Sequence, residues 1–211
     1  MEENFSQQES LRLISQMINT AKKEQKDNGM GWIVWGWVLF ITSILTVFNI
    51  RYDWFSVAFF WNAFGGIILL YMLYDTIRCR LRKTVMVRTY TQDLFSKLNA
   101  GFFISLMFII FSMNLEMGGN AVVNPLKGFA LLINLYGFWI LIYGTALNFR
   151  PSVIAAFIVW GIGFGCMLVK TFEAVMLLHA AAVLAGYIIP GHIANNQFKT
   201  IQQKGNSTDG V

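Results

Sequence analysis

The chain has 211 residues, 56% hydrophobic and only 13% charged, with a formal net charge of +5. A soluble domain carries about 25% charged residues, so this composition excludes an ordinary water-solvated surface and points to a membrane protein. The mean hydropathy of +0.54 agrees, and the 19 Phe and 7 Trp suit lipid-facing and interfacial positions.

The first predicted element lies in residues 1–29. Ser6 to Glu9 fits a capping box, in which the serine side chain meets the amide three residues on and the glutamate reaches back. Leu11, Ile14, Ile18 and Ala21 then recur at helical spacing, and Gly29 suits the position just past the helix end. Two readings of this amphipathic helix stand side by side. It lies on the cytoplasmic membrane surface with Lys22, Lys23 and Lys26 near anionic headgroups, or residues 6–28 dock a protein partner along a coiled-coil-like seam.

Six apolar segments follow: Trp32–Ile50, Trp54–Ile77, Ala100–Leu115, Leu126–Leu147, Ser152–Val169 and Phe172–Ile189. Each comes close to the roughly 20 residues that cross a bilayer. Their continuous apolar character, not an alternating one, selects helices over a barrel. The predicted fold is therefore all-α: a six-helix transmembrane bundle over 30–192, with the amphipathic interfacial helix before it and a polar, disordered cytoplasmic tail over 193–211. Pro190 and Gly191 are expected to end the sixth helix, since proline breaks the amide ladder and glycine lets the chain turn away.

Lysine and arginine set the orientation. With both termini cytoplasmic, the inner side holds 13 of them and the outer side 3, namely Arg51, Lys127 and Lys170. This asymmetry explains the positive charge without nucleic acid. The longest connection carries Arg78, Arg80, Arg82, Lys83 and Arg88, which are expected to contact anionic lipid of the cytoplasmic leaflet or simply to fix topology.

Polar residues within the segments are the candidate site. Asn62, Asn134 and His179 each lie seven or eight residues from the outer end of their helices, roughly 10–12 Å below the boundary at about 1.5 Å per residue. Thr42, Ser43 and Thr46 fall near the same layer. Such a layer is either interhelical hydrogen bonding or a ligand or ion site. A neutral histidine, with an ordinary pKa near 6.5, is cheaper to bury than a carboxylate. Gly161 and Gly165 of the fifth helix, with the pairs Ala181/Ala185 and Ala182/Gly186 of the sixth, are expected to pack these two helices together. Short matches between Ile33–Gly36 and Ile158–Gly161, and between Asn62–Gly65 and Asn134–Gly137, hint at a hairpin repeat.

Catalytic templates do not fit. The zinc His-Glu-x-x-His and serine Gly-x-Ser-x-Gly patterns are absent. Tyr74-Asp75 matches half of an intramembrane aspartyl protease signature, and its Gly-x-Gly-Asp partner is missing. The expected function is accordingly non-enzymatic, without cofactor or metal: a scaffold or regulatory protein, with a small transporter or channel using Asn62, Asn134 and His179 as the alternative. Cys79 and Cys166 belong at different depths and are not expected to pair.

The segments 9–29, Trp35–Trp37, Leu147–Pro151 and Gly186–His192 together resemble an uncharacterised bacterial family of small multi-pass membrane proteins. The resemblance implies a six-helix integral membrane fold and no transferable activity.

Overall fold

The computed structural model describes residues 29–81, 90–117, 120–121 and 123–208. The N-terminal amphipathic segment to residue 28 lies outside them, as do Arg82, Lys83 and Arg88.

The described chain is helical apart from one tiny ladder. In order come α1 (Met30–Tyr52), α2 (Phe59–Leu81), α3 (Tyr90–Asn114), strands β1 (Glu116–Met117) and β2 (Asn120–Ala121), α4 (Pro125–Ala146), α5 (Arg150–Leu168), α6 (Phe172–Val183), a π turn (Leu184–Ile188) and α7 (Ile189–Thr208). β1 and β2 pair antiparallel, Glu116 opposite Ala121 and Met117 opposite Asn120. Five stretches are long and apolar enough to cross a membrane: Met30–Tyr52, Phe95–Asn114, Pro125–Ala146, Arg150–Leu168 and Phe172–Thr200. The remaining helix of the predicted bundle, the second in order, is α2, 23 residues long, whose apolar part among the described side chains is Phe59–Leu70.

Local sequence explains the helix boundaries. Asn124 caps α4 by accepting from the Leu126 amide at 3.0 Å, with Pro125 in the first turn, where its missing amide costs nothing. The turn from α4 to α5 closes with Asn148 in the left-handed region and the Phe149 amide on the Gly144 carbonyl at 2.7 Å. A β-carbon on Gly144 would stand 2.8 Å from Ser152 Cβ, so only glycine lets the two helices meet this closely. Asp53, also left-handed, ends α1 with its amide on the Asn49 carbonyl.

The core sits among α1, α4, α5 and α6. Ile133, Ile140, Val159, Val175 and Met176 are fully buried there. Outward faces carry Val34, Ile41, Phe138, Phe157, Phe164 and Leu168. Apolar residues both inside and outside are what a bilayer solvent requires. α2 is peripheral: none of the residues 59–70 is fully buried.

Two sequence expectations change here. Pro190 does not end the sixth helix, because the chain stays helical to Thr208. The π turn just before it resolves the conflict. An α-helical proline collides with the carbonyl four residues back, and the wider turn opens the backbone there, with the Ile189 amide reaching the Leu184 carbonyl. The described part of the segment read as a disordered tail, residues 193–208, is accordingly helical. It is also held at its root. A β-carbon on Gly29 would stand 2.5 Å from the Gly191 carbonyl and 3.0 Å from Ala194 Cβ, so the start of α1 lies directly against α7.

Candidate functional site

The site grows from α1. Thr42, Ser43 and Thr46 all bond back to the carbonyl four residues earlier, at 2.8 Å each. Hydroxyls in apolar helices do this to satisfy themselves locally. Ser43 does more: its Oγ also lies 2.8 Å from Nδ1 of His179 on α6. With the single serine proton assigned to the Leu39 carbonyl, the tautomer that completes the contact is the one whose Nδ1–H donates to Ser43 Oγ. Nε2 is then the bare acceptor of a neutral ring.

His179 is fully buried and boxed by aromatic rings. Trp61 of α2 stands perpendicular to it at 5.2 Å between centroids, Phe129 at 5.6 Å and Tyr136 at 5.6 Å. Tyr187, in the π turn, meets Tyr136 at 5.7 Å and Trp32 at 5.1 Å. Three buried polar atoms of this cluster have no hydrogen-bond partner: His179 Nε2, Trp61 Nε1 and Tyr187 Oη.

The predicted polar layer is only partly assembled. His179, Thr42 and Thr46 are all buried, with Thr46 completely enclosed. Asn62 and Asn134 are exposed on outward faces of α2 and α4 and do not join them. Asn134 takes part through its backbone, its carbonyl accepting from Trp160 Nε1 at 3.1 Å. Gly137 makes room for that ring, since a β-carbon there would stand 2.5 Å from it. Depth can be counted along a helix, but facing cannot when both faces are apolar.

Glycine placement alters two further expectations. Gly161 and Gly165 have no neighbour within 4 Å where a β-carbon would stand, so they do not pack α5 on α6. Gly186, the sixth-helix glycine expected in the same packing, does stand in close contact: its β-carbon would meet Val159 at 2.8 Å and Ile140 at 2.6 Å. Gly36, by contrast with Gly161, faces Ile188 and Tyr187 at 2.8 and 3.0 Å. The two matching four-residue stretches thus occupy opposite environments, which removes their support for a repeat.

Sequence reasoning missed Asn49, buried in the last turn of α1. Its Oδ1 accepts from the Phe55 amide at 2.8 Å, and its Nδ2 donates to the carbonyls of Phe55 and Ser56 at 3.0 and 3.1 Å. The signal was an asparagine ending an apolar run before a short loop, where its side chain imitates backbone. At the same end, Arg51 forms a salt bridge with Glu173 at 2.6 Å, tying the end of α1 to the start of α6. Arg78 and Arg80 fall in the last turns of α2, with side chains outside the described set. Cys166 is buried as a free thiol, and no group of three metal-ligating side chains occurs among the described residues.

Fold and site together define a multi-pass α-helical membrane protein. No family model matches the chain, and neither a curated protein nor a solved structure matches it.

Proposed function

We propose that this protein is a non-enzymatic scaffold or regulatory protein of the cell membrane, with both termini cytoplasmic, that associates laterally with other membrane helices. The observation that carries this reading is the outward placement of Asn62 and Asn134. A carboxamide at lipid depth needs a hydrogen-bonding partner, and another helix supplies one. A solute pathway would turn these side chains inward. Gly161 and Gly165, one helical turn apart with open space before them, add a surface where a second backbone can approach closely. The cationic asymmetry supports the orientation. It also brings residues 6–28 and the 78–88 arginines to the face where anionic lipid and a protein partner are available.

The test is assembly size in mild detergent for the full chain and for Asn62→Leu/Asn134→Leu. The expected result is a shift to smaller particles with helix content intact. Unchanged particle size refutes the reading. If liposomes show solute flux that the double variant loses without a change in size, the protein is instead a small transporter or channel. Removal of residues 6–28 is expected to release a soluble partner without altering the membrane assembly.

A further inference from the structure

We propose that His179 and Trp61 form a binding site for a single hydroxyl group inside the bundle, a property separate from lateral association. Nε2 of His179 has no partner, and its proton-bearing Nδ1 is committed to Ser43. The ring therefore offers only a lone pair on that side. Nε1–H of Trp61, equally buried and equally without a partner, offers only a proton. The rings stand perpendicular with centroids 5.2 Å apart and make no direct bond to one another. A buried acceptor and a buried donor on two rings in contact, each without a partner, select a guest that donates to one and accepts from the other.

That requirement sorts chemistries. A carboxylate or halide has no proton for Nε2. An ammonium cation has no lone pair for the indole. A neutral hydroxyl has both, in one atom. The surrounding Phe129 and Tyr136 faces suit whatever apolar body carries it. Trp61 also belongs to α2, the helix with no fully buried residue over 59–70, so the site lies behind the least enclosed wall of the bundle. The hydroxyl can come from water or from an alcohol dissolved in the bilayer.

The experiment uses the full chain in lipid nanodiscs, labelled with 15N at histidine and tryptophan. Trp61 is assigned by Trp61→Phe and independently by its contact with Phe129, whose ring centroid lies 4.8 Å away. Water and added 1-octanol are the two probes. Expected are a His179 ring protonated at Nδ1 and a Trp61 indole proton in contact with the guest. Contact with water that persists at saturating octanol identifies the guest as water. Replacement of that contact by one to the octanol CH2OH protons identifies a membrane-phase alcohol, and Trp61→Phe then raises the half-saturating octanol at His179 at least tenfold. A His179 protonated at Nε2 overturns the proposal, as does an indole proton that touches neither probe. Both readings come from the unsubstituted protein, so a variant that fails to fold leaves the decision intact.

Discussion

Ser43→Ala isolates the bond that fixes His179. The substitution removes one oxygen, leaving Nδ1–H buried without an acceptor in a residue with 0% exposure. Interhelical hydrogen bonds in membranes average about 0.6 kcal/mol and reach about 1.7 kcal/mol, while an orphaned buried donor costs about 1–3 kcal/mol. With Nδ1 facing only the Ser43 site, the expected loss is about 1.5–2 kcal/mol, roughly a tenfold shift in the unfolding equilibrium. Thr46→Val is the matched control. Thr46 is equally buried, but its hydroxyl bonds only to its own helix, at the Thr42 carbonyl, and the expected loss is below about 0.5 kcal/mol. Unfolding by SDS in mixed micelles, followed by circular dichroism, measures both. A double-mutant cycle of Ser43→Ala with His179→Phe should return a coupling near 1 kcal/mol. Equal losses in the two single variants, or a coupling near zero, would refute the assignment of Ser43 as the histidine's partner.

Gly36→Ala and Gly161→Ala make the same chemical change with opposite expected signs. The first forces a methyl to within 2.8–3.0 Å of Ile188 and Tyr187 and should cost about 1–3 kcal/mol, whereas the second meets nothing within 4 Å and should be neutral or slightly stabilising by the same micellar assay. Asn49→Ala removes three hydrogen bonds to the loop after α1, with an expected cost of about 2–3 kcal/mol and faster proteolysis between α1 and α2. Arg51→Gln should cost less than about 1 kcal/mol, because the arginine side chain is 62% exposed, and the difference from the parent should shrink as salt is raised.

Charge-free length is a one-dimensional property, so most membrane helices could be read from the sequence to within a few residues. The run Leu126–Leu147 became Pro125–Ala146, and Ser152–Val169 became Arg150–Leu168. Facing is different. In water, polarity marks the outer side of a helix; in lipid, Phe138 outside and Ile140 inside are equally apolar. Asn134 could therefore be given a depth but not a direction, and Gly161 could be paired with Gly165 but not aimed. The Ser43–His179 bond was approached only as far as a common layer. Asn49 escaped because its role depends on where the Phe55 and Ser56 backbone returns, a fact of three dimensions.

Pro190 shows how such a local conflict shapes the site. A continuous α-helix through residues 172–208 would set a proline ring against the carbonyl of Gly186. The π turn at Leu184–Ile188 relieves this and adds one residue to the turn, which rotates everything after it relative to α6. Before the turn, the buried positions are Val175, Met176, His179, Ala180, Ala182 and Val183; within and after it, they are Gly186, Tyr187, Ile188, Pro190 and Gly191. Tyr187 and Ile188 are thereby brought against Gly36, and the Tyr187 ring into the aromatic wall with Tyr136 and Trp32. Gly191 then meets Trp32 and Ile33 where α1 begins. The residue expected to stop the helix instead sets the rotation that lets α1 lie along it from end to end, and Ser43 reaches His179 because both ends of that contact are secured, by Gly29 against Gly191 at one end and by Arg51 with Glu173 at the other.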